Sequence, residues 1–305
     1  MELIKPGTNI NFVGRMKMAF SLSLFVIAVS IVSILIHGGL NMGIDFAGGT
    51  LVQLKFEKPT TVERIREALK PVNLQDSIIQ RFGYEENEYL VKTPLSTSEL
   101  KGFSDTLEDA LAKTFTKGDF EVRRVEMVGP KVGKDLREKG LLSILYAIIG
   151  ILIYITWRFE FRYGVGAVVA LIHDVLITVG IFSLLNLEFT LPIIAALLTI
   201  IGYSLNDTIV VFDRIRENRR ANIRGELRGI INGSINQTLS RTLLTAGTTL
   251  LVVLALFFLG GAVIRDFAFA LIVGIVVGTY SSIFIASPIV LAWEQARPAK
   301  EKKKR

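Results

Sequence analysis

The chain has 305 residues, half of them hydrophobic, and carries a formal net charge of +7 with no cysteine. The apolar content excludes a disordered chain, and the lack of cysteine excludes disulfide scaffolds, thiol nucleophiles and cysteine-ligated metal sites. With only two histidines, His37 and His173, the sequence also argues against a multi-histidine metal site.

Long apolar runs dominate the chain. A helix crosses the hydrocarbon core of a membrane with about 20 such residues, and lipid excludes strands with unpaired backbone groups. We therefore predict six membrane-spanning helices rather than the buried helices of a soluble core. The first is expected to remain as an anchor, because no small-residue cleavage site follows it. The six runs are residues 18–36, 141–157, 165–185, 191–212, 242–261 and 267–293.

Between the first two runs lies a polar segment, residues 38–139, whose pattern is that of a soluble domain. Alternating residues predict strands, and apolar residues three and four apart predict helices, the first with Thr60 or Thr61 as its N-cap. The order is βαββαβ, which indicates a ferredoxin-like α+β domain. The predicted strands are residues 50–56, 76–82, 88–93 and 120–128, and the predicted helices are residues 61–70 and 98–115.

Lysine and arginine concentrate at both termini and in the connections after the second and fourth runs, whereas the two short alternate connections, residues 186–190 and 262–266, hold only Arg265. By the positive-inside rule both termini are cytoplasmic and residues 38–139 lie across the membrane. We divide the chain into residues 1–37, 38–139, 140–296 and a basic tail, 297–305. Residues 300–305 are expected near anionic lipid, so the net charge indicates topology rather than nucleic-acid binding.

Ionisable residues lie within the third and fourth apolar runs and at the start of the fifth. Inserting such a residue into a membrane costs roughly 2.5–3.5 kcal/mol at a helix centre. The residues are His173 and Asp174, then Asp207 beside Asn206, and Arg241. The functional interpretation is a proton or ion relay, in which Asp207 binds and releases a proton and Arg241 neutralises its charge. The alternative is a static ion pair, and for His173 and Asp174 a hydrogen-bonded pair that orients the helices.

Enzymatic alternatives fit the sequence less well. An intramembrane aspartyl protease needs a carboxylate dyad, but Asp207 follows Ser-Leu-Asn instead of the usual GxGD setting. A convincing Ser-His pair is also lacking. Gly48 and Gly49 permit a tight turn but resemble a phosphate loop only weakly, because no Lys-Ser/Thr follows. We therefore predict a rigid connector there, which Asp45 caps or orients, and neither an enzyme nor a cofactor site.

Several motifs occur in a fixed order along the chain. They are GIDFAGGT at residues 43–50, VGPKVG at 128–133, ALIHDV at 170–175, GYSLNDTIVVFDRIRE at 202–217 and NQTLSRT at 236–242. Together, on a six-span chain with one large loop, they resemble the SecF family of the SecD/SecF protein-export complex, within the RND superfamily. The resemblance covers essentially the whole chain.

The resemblance implies a subunit of the bacterial cytoplasmic membrane that assists Sec-dependent protein export by using the proton-motive force. In that family the positions of Asp207 and Arg241 serve proton-driven export. The implied partners are a SecD-like six-span half, the SecYEG channel and the translocating polypeptide. An RND-type exporter of small molecules or lipids, a structural assembly factor and sodium coupling remain open alternatives. The motif positions that we expect to be structural are Gly43, Asp45, Gly48, Gly49, Gly129 and Pro130.

Overall fold

The structure is a computed structural model that describes residues 7–75, 77–82, 87–93, 103–116, 118–222 and 225–296. Several predicted features lie outside these residues. They are the basic tail from residue 297 onward, the start of the second domain helix at residues 98–102, Asp76 in a predicted strand and the predicted turn at residues 83–86.

A small antiparallel sheet with two helices on one face forms the domain between the first two spans, called the sheet domain below. The strand order is β2-β3-β1-β4, as expected for a ferredoxin-like βαββαβ unit, and the predicted fold class is confirmed. The elements are β1 (Gly49–Phe56), α3 (Val62–Leu69), β2 (Ile78–Arg81), β3 (Glu88–Thr93), α4 (Phe103–Ala112) and β4 (Phe120–Val128).

Alternation in β1 explains why the sheet folds onto its helices. Val52, Leu54 and Phe56 point to one face and are buried against Ile65 of α3 and Leu107 of α4. The residues between them face away from the helices. Thr61 caps α3, as predicted, because its hydroxyl accepts a hydrogen bond of 3.3 Å from the Arg64 amide.

Within the described ranges, six helices are long and apolar enough to cross a membrane, which confirms the predicted number of spans. Most extend beyond the apolar runs, because polar helical turns continue them past the membrane. They are α1 (Phe12–Ile36), α5 (Pro130–Arg158), α6 (Phe161–Leu184), α7 (Leu191–Ala221), α8 (Leu227–Leu259), and α9 (Ala262–Ser281) continued by a π-helical turn (Ser282–Ala286) and α10 (Ser287–Gln295).

The third, fourth and sixth spans form the centre of the bundle, and the other three lie around them. Small residues allow this close packing. A Cβ atom on Gly274 of α9 would lie 2.2 Å from Ile200 of α7, and one on Gly180 of α6 would lie 1.9 Å from Ser30 of α1. A larger residue at Gly274 would force α9 away from α7, and one at Gly180 would force α6 away from α1.

Hydrogen bonds from backbone amides to asparagine side chains attach the start of α1 to α8. The side-chain oxygen of Asn232 accepts from the amides of Phe12 and Val13, at 2.9 and 3.2 Å, and Asn236 accepts from the Ile10 amide at 2.8 Å. The Phe12 and Val13 amides belong to the first turn of α1, which has no acceptors within the helix for them, and the Ile10 amide directly precedes the N-cap. Asn11 caps α1 locally by accepting from the Gly14 amide at 2.8 Å, and the amide side chains of α8 bind the neighbouring amides and join the first and fifth spans.

Candidate functional site

Asp174 of α6 lies at the centre of the bundle, fully buried and fully hydrogen-bonded. Its Oδ2 accepts from the hydroxyl of Ser204 on α7 at 2.6 Å and from that of Ser281 on α9 at 2.8 Å. Its Oδ1 lies 2.9 Å from Nδ1 of His173. A carboxylate without solvent is tolerated only with such partners. Asp174 thus ties together the third, fourth and sixth spans.

His173 extends this network to the first span. Its Nε2 lies 3.0 Å from the hydroxyl of Ser23 on α1, and its ring stacks on Tyr280 with ring centroids 6.1 Å apart. Tyr280 donates to the Ala19 carbonyl, so Ser23 must donate to Tyr280 and accept from an Nε2–H of His173.

Asp207 of α7 has a different environment. It is 3% exposed, and its Oδ2 is buried without a hydrogen-bond partner in the part of the chain that the structure describes. The hydroxyls of Thr242 on α8 and Thr279 on α9 are likewise buried without partners there. Unpaired buried polar atoms are rare in folded proteins and mark places where water, a proton or another chain supplies the missing contact.

Arg241 acts on Asp207 from a distance. Its charge attracts the Asp207 carboxylate, but no ion pair within 4 Å joins the two side chains as described. Arg241 is exposed on the surface of this chain, on the same stripe of α8 as the exposed Thr248. The structure therefore places Arg241 in electrostatic range of Asp207 but not in contact with it.

A polar stripe on α7 is also left uncovered. Thr199, Gly202 and Asn206 recur at helical spacing and are exposed, and the Thr199 hydroxyl bonds back to the Ala195 carbonyl at 2.8 Å. Asn206, predicted as part of the relay, thus points away from Asp174. Such a surface is expensive within lipid and typical of contact with another polypeptide.

At one end of the bundle the two glycine motifs meet. The first contains a short helix, α2 (Ile44–Ala47), followed by Gly48 and Gly49 with φ of 76° and 121°. Only glycine adopts such angles readily, so the predicted tight turn is present. A Cβ atom on Gly48 would lie 3.0 Å from Cα of Pro130, the first residue of α5, and Gly129 precedes that helix as its N-cap.

The sheet domain faces the ends of the spans across a cavity of about 440 Å³. Leu51 and Leu90 line its sheet side, and Pro192 and Phe267 line the bundle side. Beside this cavity Lys92 of β3 forms an ion pair with Glu188, in the loop between α6 and α7. Burial lowers the pKa of Lys92 to about 8, although the Asp266 carboxylate opposes this shift.

The opposite end of the bundle holds an ion network that the sequence did not reveal. The side chain of Arg162 on α6 is 3% exposed and pairs with Glu294 of α10 and, at 2.8 Å, with Glu160. Glu294 also pairs with Arg219 of α7 at 2.7 Å. In the sequence these arginines indicated only topology. Glu294 directly follows the last apolar run and gave no signal of its own.

Comparison with protein families identifies two matches. The model described as "Protein export membrane protein SecD/SecF, C-terminal" matches residues 106–296, and the one described as "SecD/SecF GG Motif" matches residues 33–60. The chain is 52% identical to the protein translocase subunit SecF of Magnetococcus marinus over 95% of this chain and 94% of that protein. It is 49% identical to that of Vibrio alginolyticus, over 95% and 91% respectively.

Two solved structures resemble this fold. The crystal structure of SecDF, a translocon-associated membrane protein, from Thermus thermophilus matches with a TM-score of 0.86 and 42% identity over 97% of this chain. The crystal structure of SecDF in a super-membrane-facing form matches all of this chain with a TM-score of 0.72 and 41% identity. This chain spans only 40% and 41% of the lengths of those SecDF chains.

Proposed function

The chain belongs to the SecF family of protein translocase subunits, and from this premise we propose that it uses the proton-motive force to assist Sec-dependent protein export together with a SecD-like partner. It is a multi-pass protein of the bacterial inner membrane. Its work in this proposal is transport rather than chemistry on a substrate, and it needs no cofactor beyond the ion gradient.

The observation that carries the proposal is the contrast between two buried aspartates. Asp174 has hydrogen-bond partners on both oxygens, whereas Oδ2 of Asp207 has none among the described residues. A group that works as a relay must gain and lose a proton, so it cannot be held in one state by a complete set of donors. Asp207 is therefore the proton-binding residue, and Asp174 with His173 fixes the helices around it.

Arg241 completes the relay without direct contact. Ionised Asp207 is stabilised by the attraction of the nearby cation, and proton uptake removes that attraction. The equilibrium position of α7 relative to α8 then differs between the two states. A carboxylate in a tight buried ion pair would bind a proton at a far greater cost in free energy, because its partner's charge would be left buried and unpaired.

The partner half covers the uncovered polar surface. Asn206 and Thr199 on α7, and Arg241 and Thr248 on α8, are exposed on helices that must lie in lipid or against protein. The similar SecDF chains are more than twice as long as this chain, which agrees with a second half that packs against this surface. The proton path is thus completed at the interface between the halves.

The distribution of lysine and arginine supports an orientation with both termini in the cytoplasm. The sheet domain then lies outside the cytoplasm, where an exported chain emerges from the SecYEG channel. One charge that crosses about 100 mV releases roughly 2.3 kcal/mol, which biases a two-state equilibrium about fiftyfold. This energy favours small repeated displacements of the sheet domain over forcible unfolding of the exported polypeptide.

The decisive experiment measures export into inverted membrane vesicles that contain the full chain with its SecD-like partner and the channel. We expect Asp207→Asn to abolish the part of export that depends on the proton gradient. Asp213→Asn, the same change six residues later on α7, serves as the matched control and leaves it intact. Full gradient-dependent export by Asp207→Asn contradicts the proposal, and export that follows an imposed sodium gradient instead contradicts its choice of ion.

A further inference from the structure

The fourth span lacks a cap of its own at the end that faces the sheet domain. Thr190 occupies the N-cap position of α7, but its side chain makes no capping hydrogen bond. Instead Oδ2 of Asp45 accepts a hydrogen bond of 2.8 Å from the amide of Leu191, the first residue of α7. The carboxylate comes from 146 residues earlier in the chain and performs the role that a local Asp or Ser usually has.

Backbone hydrogen bonds hold the same two segments together. The Gly43 amide donates to the Phe189 carbonyl at 2.9 Å, and the Phe189 amide donates to the Asn41 carbonyl at 2.7 Å. A Cβ atom on Gly43 would lie 2.7 Å from the Thr190 methyl group, so a larger residue there would displace the Thr190 side chain. The connector, residues 41–48, therefore lies in register along the residues that lead into α7.

The connector is also fixed on its other sides. Phe46 is buried and contacts Phe189, with ring centroids 6.1 Å apart. A Cβ atom on Gly133 of α5 would lie 3.0 Å from the Phe46 carbonyl oxygen, so α5 touches the connector directly. The connector then continues without a linker into β1, a central strand of the sheet domain.

The same helix carries Asp207. A straight helix transmits an axial shift or tilt over its whole length, and Asp207 lies about 24 Å along α7 from Leu191 at 1.5 Å per residue. We propose that Asp45 is a positioning residue that couples the sheet domain to the fourth span by capping α7 from outside that helix. This inference rests on the proposed function, because it supposes that α7 moves when Asp207 changes its protonation state.

The test follows the position of the sheet domain directly instead of following export. The chain has no cysteine, so spin labels at Glu67→Cys on α3 and Ile264→Cys on α9, both exposed, report one distance in the full chain assembled with its partner in liposomes. This distance is compared between chains with Asp207 and with Asp207→Asn. We expect a shift in the distance distribution, and we expect Asp45→Ala to abolish that shift.

Three further single variants and one double variant separate loss of coupling from general structural damage. Asp45→Asn retains a capping oxygen and should restore the shift, whereas Asp109→Ala, an exposed position on α4, should leave it unchanged. Leu191→Pro removes the donor instead of the acceptor at a helix position that tolerates proline. It should abolish the shift as Asp45→Ala does, and the double variant should show no additional effect.

The outcomes distinguish this inference from the proposed function. A shift that persists in both Asp45→Ala and Leu191→Pro overturns the coupling role of Asp45. The absence of any shift between Asp207 and Asp207→Asn, with export lost in the latter, also overturns it while the proposed function stands. Normal export with Asp207→Asn overturns the proposed function itself. If Asp45→Ala does not assemble, Leu191→Pro alone decides the question.

Discussion

The hydroxyl of Ser204 lies 2.6 Å from Oδ2 of Asp174 and joins the third and fourth spans inside the bundle. Ser204 lies one helical turn before Asp207. Within this turn of α7, Ser204 donates to the carboxylate of Asp174, whereas Oδ2 of Asp207 has no hydrogen-bond partner among the described residues. The Ser204–Asp174 hydrogen bond fixes the fourth span to the third beside the proposed proton-binding residue. The network around Asp174 is accordingly a stabilising element, and its loss is expected to reduce stability before it reduces ion coupling.

Ser204→Ala tests this division. Removal of a hydrogen bond to a charged acceptor is expected to lower the free energy of unfolding by about 1.5–3 kcal/mol. Thermal unfolding of the purified assembly, followed by loss of the monodisperse peak, measures the effect. Ser21→Ala, an exposed serine on α1, is the control and should change little. Equal melting temperatures for the two variants would show that the Asp174 network does not stabilise the bundle.

Glu294→Gln tests the ion network at the opposite end. Among the residues that the structure describes, the substitution leaves the nearly buried Arg162 paired with Glu160 alone and removes the carboxylate that pairs with Arg219. A buried charge left without any partner costs about 3–5 kcal/mol; because Arg162 keeps Glu160, we expect a loss below that range but above about 1 kcal/mol. Glu217→Gln, which breaks the exposed pair with Arg214, should change stability by less than about 1 kcal/mol. Comparable losses in the two variants would contradict a structural role for the buried network.

Thr248→Trp on α8 tests whether the uncovered polar surface of α7 and α8 contacts the partner half. A bulky side chain in a close helix interface costs about 1–3 kcal/mol, as in an overpacked core, so co-purification of the SecD-like half should fall. Leu24→Trp on α1 replaces an exposed apolar residue and should not affect it. Undiminished recovery of the partner with Thr248→Trp would mean that this face meets lipid instead.

Periodicity in the sequence predicted the framework of this fold well. The strand at residues 88–93 and the number of spans are confirmed, because alternation and long apolar runs depend only on neighbours in sequence. Such patterns do not predict contacts between segments that are distant in sequence. Ser23 and Ser281 looked like ordinary small residues of apolar helices, yet they complete the network of His173 and Asp174.

Asp45 shows the same limit within a motif that the sequence did single out. The pattern predicted a residue that caps or orients the connector, and the side chain indeed caps a helix. That helix, however, is α7 and not a part of the connector. Nothing in the spacing of residues 43–50 indicates which of six distant spans receives the hydrogen bond, since that choice depends on how the spans pack.

The burial of Lys92 predicts that docking of the sheet domain onto the loop that contains Glu188 depends on pH. Burial lowers the pKa of Lys92 to about 8 from its ordinary value of 10.5, so an undocked domain with an exposed Lys92 binds more protons between these values. Docking must then strengthen as the pH rises from 8, by at most about 1.4 kcal/mol per pH unit for one group. Below pH 8 both forms are protonated, and this dependence disappears.

Hydrogen exchange of the Phe189 amide, which is bonded to Asn41 in the docked arrangement, measures this effect between pH 7 and 9.5 after correction for the intrinsic rate. Protection should increase above pH 8 in the native chain. Lys92→Met removes the titrating group and should make protection independent of pH, whereas Lys70→Met, at an exposed position after α3, should preserve the increase. Protection that stays constant in the native chain would show that Lys92 remains charged throughout and that its pair with Glu188 outweighs the cost of burial.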